Sequence, residues 1–509
     1  MHRYIKKILT ARVYDVAVES PLDPLPRLSR RLGNRVLLKR EDLQPVFSFK
    51  LRGAYNKMSQ LPRTVLEKGV ICSSAGNHAQ GVALSAGRLG IRAVIVMPGT
   101  TPAIKVEAVR NLGGEIILHG DTYDEAYQCA KQLEEEQGLT FIHPYDDPDV
   151  IAGQGTVGME ILRQHPDPIE AIFIAIGGGG LLSGVAVYTK FLRPDIKIIG
   201  VEPEDAASMY EALRQNERVT LDQVGIFADG VAVRQAGEET FRLAKELVDE
   251  VILVSTDEIC AAIKDIFDDT RSIAEPAGAL GTAGLKKYVA RNGTSDANLV
   301  AINCGANINF DRLRHVAERA ELGEQQEALL AVAVPERPGS FKQFCQTIGK
   351  RNITEFNYRY ADPTQAWVFA GLGLSGGRTE KDHLLATLRE QGYQVLDMSD
   401  NEMAKLHVRY MVGGHAPEIR DEILYRFEFP ERPGALLKFL TGMAQGWNIS
   451  LFHYRNHGSD YGRVLTGVQV PESERARFQS YLDELGYAYR LESDNPAYRV
   501  FLGRQGADS

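Results

Sequence analysis

A lysine placed in an apolar setting can act as an amine nucleophile, and Lys50 is a candidate for that chemistry. It follows Phe47 and Phe49 in VFSFKLRGAYNK (46–57) and opens a segment with helical character. Partial desolvation lowers a lysine pKa and leaves the amine free to form an imine. Taken alone, the same pattern also describes a surface lysine with its stem packed down. A second segment, CSSAGNHAQGVALSAGRLG (72–90), crowds small residues into a turn between the apparent strand VIC and a helix beginning near Asn77. Such a turn points backbone N–H groups outward at a positive helix end, which suits a carboxylate or a phosphate. Asn77 adds an amide donor for a phenolic oxygen. A tight packing turn is the competing explanation. The third segment is AIFIAIGGGGLLSGVAVYTKFL (171–192), in which Gly177, Gly178, Gly179 and Gly180 lie between a strand and a helix. Four bare residues let the main chain wrap a phosphate and aim several amides at it. The spacing departs from the dinucleotide pattern, because Leu182 and Ser183 stand where its third glycine would be, and the lysine of nucleotide-triphosphate loops is missing.

These segments need a scaffold that brings distant turns together. From about residue 70 to 305, short apolar runs alternate with amphipathic stretches. The runs AVIVM (93–97), EIILH (115–119), AIFIAI (171–176), KIIGV (197–201), EVILVS (250–255) and NLVAIN (298–303) read as buried strands. Helices are expected at 103–112, 123–137, 238–248 and 256–270, with Thr256 as the cap of the last and Asp257 and Glu258 in its first turn. That alternation predicts an α/β core of parallel sheet with helices on both faces.

Composition narrows the class of function. The chain has 509 residues, 44% of them hydrophobic and 25% charged, with a net charge of −9. Such values fit a globular protein with small-molecule partners and argue against broad nucleic-acid contacts. No stretch approaches eighteen uninterrupted apolar residues, so no membrane span is expected. The basic start, MHRYIKKILTARVYD, is followed by neither an apolar core nor a small-residue cleavage site, and a cytoplasmic address is expected. Five scattered cysteines form no CxxC pair, and the eleven histidines form no HExxH pair. Reduced thiols and no metal site are therefore expected.

After Phe310 the character changes. The polar segment ERAELGEQQEAL (318–329) reads as a linker helix, and an internal repeat follows it. VPERPGSFKQF (334–344) returns as FPERPGALLKF (429–439), 95 residues later, and NITEFNYR (352–359) returns as NISLFHYR (448–455), 96 residues later. Each copy reads strand, Pro-Gly turn, helix and strand, as in a small α+β module.

Together SFKLRGA, SSAGNHAQG and GGGGLLSG resemble the signature set of the fold-type II pyridoxal-phosphate enzymes, in the serine/threonine dehydratase branch. VIAGQGTVGMEI (150–161), AEPAGAL (274–280) and INCGANIN (302–309) extend the likeness across the core. The tandem repeat resembles the paired ACT-like regulatory modules of biosynthetic threonine dehydratases. The resemblance implies a fold-type II core over 1–317, a linker over 318–328 and ACT-like modules over 329–402 and 421–495. It implies pyridoxal 5'-phosphate bound as an imine to Lys50, with Asn77 on its 3-oxygen. Gly177, Gly178, Gly179, Gly180 and Leu181 would hold the phosphate, and Cys304 would face the pyridine nitrogen. Ser74, Ala75, Gly76 and Asn77 would grip the substrate carboxylate. Without the resemblance, Cys304 reads as an inert buried thiol.

The implied reaction is the conversion of L-threonine, and of L-serine, to a 2-oxoacid and ammonia. The implied effectors are isoleucine as inhibitor and valine opposing it, and the implied assembly is a homotetramer. For the effector, the repeat points to Glu336, Gly339, Asn352 and Tyr358 and to their counterparts Glu431, Gly434, Asn448 and Tyr454. A pair of modules serving only assembly is the alternative there. For the core, the alternatives are a serine dehydratase, another β-elimination or β-replacement enzyme of the same fold, or an amino-acid sensor with an inactive core.

Overall fold

In the computed structural model the described residues are 1–335, 340–349, 351, 353–358, 364–410, 420–430, 435–443, 447–455 and 461–502. The chain forms two compact units, Met1–Ala320 and Glu321–Ser509.

The first unit contains two sheets. The larger has six strands in the order Leu22–Pro24, Arg35–Arg40, Asn298–Asn303, Ala171–Ala175, Lys197–Pro203 and Glu250–Val254. Its pairs are parallel apart from the antiparallel edge strand Leu22–Pro24. The smaller sheet is wholly parallel, in the order Glu115–Leu118, Ala93–Met97, Val70–Ser73 and Thr140–Phe141. Ala93–Met97 and Ala171–Ala175 are buried along their whole length. This is why they are continuous apolar runs without polar alternation. The helices fall where the periodicity placed them, including Tyr123–Gln137 and Thr256–Thr270. One cap differs. Ser255, not Thr256, caps the latter helix, because Ser255 stands three residues before Glu258 and the two close a reciprocal capping box.

In a parallel sheet the strands point the same way, and the loops at their carboxyl ends share one edge. Ser74 follows Val70–Ser73, the glycine run follows Ala171–Ala175, and Cys304 follows Asn298–Asn303. The topology therefore delivers the Ser74 turn, the glycine run and Cys304 to the carboxyl edges of the two sheets.

The second unit contains two four-stranded antiparallel sheets. The first runs Ile353–Tyr358, Gln365–Gly373, Glu327–Pro335 and Gln394–Asp397, and the second Asn448–Arg455, Tyr461–Gln469, Glu422–Pro430 and Ala488–Leu491. Each carries two helices, Ser340–Ile348 and Gly377–Glu390 in one, Ala435–Gly442 and Arg475–Leu485 in the other. The repeat is thus a duplicated β-α-β-β-α-β module. The strand Glu327–Pro335 is buried on both faces. Ala328, Leu330, Val332 and Val334 enter the core of their own module, with Phe344 and Leu388. Leu329 and Ala331 face a cluster shared with Leu424, Leu465 and Phe501 of the second repeat. The helix Arg312–Gly323 occupies the start of the segment expected to link core and modules, and the strand at Glu327 begins before that segment ends. No helix among the described residues is long and apolar enough to cross a membrane.

Candidate active site

Lys50 is the first residue of the helix Lys50–Ser59. The chain reaches it through Ser48, which bridges Gly305 in antiparallel fashion, and through Phe49, whose N–H donates to the Cys304 carbonyl at 3.3 Å. Lysine and cysteine are therefore held beside each other by main-chain bonds. The ammonium of Lys50 lies 5.3 Å from the centre of the Phe49 ring and donates to the Pro144 carbonyl at 3.0 Å. Burial lowers its pKa to about 8, with Cys304 and Glu275 opposing the shift. Phe47 does not line this pocket. It is 56% exposed and adopts φ +55°, which turns it away from the side Phe49 occupies.

Behind the lysine, its own helix and the helix Pro148–Gln164 pack closely. A Cβ on Gly153, in the helix Pro148–Gln164, would sit 2.6 Å from the Arg52 carbonyl oxygen, so only glycine permits this approach. Arg52 lies at the centre of a fully buried cluster. Its guanidinium donates to Glu41 at 2.8 Å and to Glu160 at 2.6 Å, and Lys39 donates to Glu160 at 2.7 Å. Two cations balance two carboxylates, which is what makes charges tolerable at zero exposure.

Ser74, Ala75, Gly76 and Asn77 lie half-buried between buried neighbours on either side. The Gly76 amide donates to the Ser74 hydroxyl at 3.3 Å, and Gly76 is the N-cap of the helix Asn77–Leu89. The turn thus presents its main chain at a helix N-terminus, where an anion is favoured. His78, just inside, is buried and donates from Nε2 to the Ile142 carbonyl at 2.8 Å.

The glycine run is built for close approach. A Cβ on Gly178 would lie 2.2 Å from the Tyr145 ring, and one on Gly180 would lie 3.0 Å from the Tyr145 main chain. Gly179 has φ +94° and caps the helix Gly180–Leu192, whose second residue is the buried Leu181. Gly177 is half-buried beside Val231. Thr240 donates to the Gly178 carbonyl at 2.6 Å and fixes the loop from outside. First-turn amides of a helix lack intrahelical partners and remain free for an anion. Pro144 and Tyr145 join the two halves of the site, since one accepts from Lys50 and the other covers the glycines. Asp146 anchors this connection by accepting the amides of Glu238, Glu239 and Thr240 at the start of the helix Glu238–Leu247.

Cys304 is buried, and its thiol donates to the Ala277 carbonyl at 3.3 Å. Burial pushes the thiol up, so it stays uncharged near neutral pH. Lys50, Asn77, the glycine run and Cys304 thus converge. The contributions of Pro144, Tyr145, Asp146 and Glu275 carried no periodicity or spacing signal. Only Glu275 belonged to a block, AEPAGAL, that stood out at all. A buried amine beside a bare main-chain cradle at a helix N-terminus fits a phosphate-bearing aldehyde. The amine suits the carbonyl and the cradle suits the phosphate.

Of the regulatory candidates, Tyr358 ends the strand Ile353–Tyr358, opposite Val368. Asn448 and Tyr454 lie on the strand Asn448–Arg455, opposite Gln469 and Val464. Glu336, Gly339, Asn352, Glu431 and Gly434 lie outside the described residues.

Comparison with known proteins agrees with this geometry. Residues 14–305 match the family model described as pyridoxal-phosphate dependent enzyme. Residues 318–408 and 413–502 each match the C-terminal regulatory domain of threonine dehydratase. The chain is 59% identical over 504 residues to the L-threonine dehydratase biosynthetic IlvA of Burkholderia multivorans, covering 98% of this chain and 99% of that one. It is 54% identical to the Escherichia coli protein of the same name, covering 98% and 97%. Among solved structures, the processed form of threonine deaminase isoform 2 from Solanum lycopersicum superposes with a TM-score of 0.62 at 54% identity, over 63% of this chain and 88% of that one. With both its core and its duplicated modules matched, the chain belongs to the pyridoxal-phosphate-dependent biosynthetic threonine dehydratases.

Proposed function

We propose that Lys50 is the cofactor-bearing lysine of an L-threonine ammonia-lyase that also accepts L-serine and is inhibited by isoleucine, with valine opposing. The observation that carries this reading is the convergence of Lys50 and the glycine run on residues 144–145. When bound, pyridoxal phosphate supplies an electron-accepting ring conjugated to the substrate nitrogen.

The chain's own groups do the rest. The amides at Gly177, Gly178, Gly179, Gly180 and Leu181 hold the phosphate with the help of the helix dipole. The turn Ser74–Asn77 orients the substrate carboxylate, and Asn77 donates to the cofactor's phenolic oxygen. With its pKa lowered to about 8, Lys50 is in part an uncharged amine near neutral pH and can remove the Cα proton of threonine. The β-hydroxyl leaves as water, and hydrolysis of the remaining unsaturated amine gives 2-oxobutanoate and ammonia. Cys304 would offer the pyridine ring an uncharged thiol in place of a carboxylate. That would leave the ring a weaker electron sink than a carboxylate partner would.

The catalytic region is 1–317, joined by 318–328 to effector-binding modules at 329–402 and 421–495, in a cytoplasmic homotetramer. An effector acts only through unequal affinity for two states, typically worth about 1–3 kcal/mol. The test is 2-oxoacid production from L-threonine and L-serine with and without isoleucine. Threonine turnover suppressed by isoleucine supports the whole reading. Turnover indifferent to isoleucine removes the effector assignment, and no turnover with cofactor bound removes the substrate assignment.

A further inference from the structure

Glu275 plays no part in the mechanism above, yet it is buried inside the same site as the N-cap of the helix Pro276–Asn292. Its Oε1 accepts from the Asn77 amide nitrogen at 2.6 Å. On the other side, Asn307 donates from Nδ2 to the Asn77 amide oxygen at 2.7 Å and to the Val46 carbonyl at 2.8 Å. With an acceptor at its nitrogen and a donor at its oxygen, the Asn77 amide has one satisfied orientation. One N–H is committed to Glu275, and the second is left to donate to a ligand. Space for the carboxylate is built in. A Cβ on Gly305 would lie 2.3 Å from Glu275 Oε1 and 3.2 Å from Asn77 Nδ2.

The charges around this carboxyl come from several elements. Asp229 and Lys105 face it from the turn Asp229–Val231 and the helix Ala103–Asn111, and Lys50 and Cys304 face it from within the site. Burial pushes Glu275 up to about 7, with Asp229 adding to the shift, while the bond from Asn77, the charge on Lys105 and the Asn307 amide hold it down. A cation formed on Lys50 in this enclosed place needs a negative partner nearby. Cys304 remains a thiol, and Asp229 is already paired with Lys105 at 2.7 Å and Arg312 at 3.2 Å, which leaves the Glu275 carboxylate.

We propose that Glu275 is a positioning residue for the cofactor: through Asn77 it aims an amide N–H at the phenolic oxygen, and its carboxylate is the buried counter-charge for the cation formed where Lys50 carries the cofactor. The proposal rests on the assignment of Lys50 and Asn77 to the cofactor. Its test is the pH titration of the bound cofactor's visible absorbance in the holoenzyme.

Glu275→Gln keeps an acceptor for Asn77 and removes the charge. The titration midpoint is expected to fall by about one pH unit or more, a tenfold or larger loss of proton affinity. A residue serving only to hold the fold would lower cofactor content without moving the midpoint, so an unshifted midpoint overturns the proposal. If Glu275→Gln retains no cofactor, Glu275→Asp decides. Because it keeps the charge, it is expected to titrate near the wild-type midpoint, and a shift like that expected of the glutamine variant overturns the proposal. Failure of the underlying site assignment is recognised separately, because Lys50→Ala would then keep the wild-type absorbance.

Discussion

Replacing Arg52 with methionine removes one cation from the buried cluster behind Lys50 and strands a carboxylate. Arg52, Lys39, Glu41 and Glu160 all have zero side-chain exposure. Glu160 keeps Lys39 at 2.7 Å, whereas Glu41 is left with the Ser20 hydroxyl at 2.6 Å and the Gln44 amide at 3.2 Å. Breaking a buried pair by deleting one partner costs roughly 3–5 kcal/mol, a large part of the about 5–15 kcal/mol that holds a domain together. The cost should be read in urea unfolding, followed both by far-ultraviolet dichroism and by cofactor absorbance. Because Arg52 lies two residues beyond Lys50, cofactor release is expected to move to lower urea together with unfolding. The stronger test is the double variant Arg52→Met/Glu41→Gln. It restores charge balance around the remaining Lys39–Glu160 pair and should recover more than about 1 kcal/mol of the loss. An Arg52→Met cost below about 1 kcal/mol, or additive losses in the double variant, would refute the reasoning.

Other outcomes follow from the same geometry. Gly178→Ala forces a methyl to within 2.2 Å of the Tyr145 ring, and overpacking of about 1–3 kcal/mol predicts roughly 5- to 150-fold weaker cofactor binding in spectral titration. An unchanged affinity would mean that the ring moves freely and the cradle is not tight. Burial lowers His78 to about 3 and His143 to about 4, so both are neutral in the folded protein. A folded pKa below the unfolded value of about 6.5 leaves stability intact above that pH and erodes it as the pH falls. The loss is about 1.4 kcal/mol per pH unit for a fully buried histidine such as His78. His78→Gln should flatten the stability profile between pH 6.5 and 5, and an unchanged acid slope would count against this origin.

Much of the scaffold was legible because its signals are local. Asn298–Asn303 is a short apolar run between two asparagines and Tyr123–Gln137 an amphipathic stretch with Thr122 and Glu125 as its capping box, so each declares its own type. The strand Arg35–Arg40 carries Lys39 and Arg40, which are buried with the carboxylates of Glu160 and Asp42 against them. Polar residues of that kind mask a strand in sequence. Phe47 and Phe49 look alike on paper, and only the positive φ at Phe47 separates an exposed ring from one against the lysine. Within the site, Lys50 and the glycine run announced themselves by composition. Glu275 did not, since its meaning comes from Asn77, which lies 198 residues away in the chain. Contacts of that separation depend on the completed fold. The modules were legible through repetition itself, because two copies of a βα turn at a near-constant offset require a duplicated unit.

The central claim, that Lys50 carries the cofactor, is tested most directly by reducing the holoenzyme with borohydride and locating the pyridoxyl group by peptide mass spectrometry. The label is expected on Lys50, with the visible absorbance and threonine turnover lost together. A label on any other lysine, or an active Lys50→Ala variant with unchanged absorbance, would contradict the account.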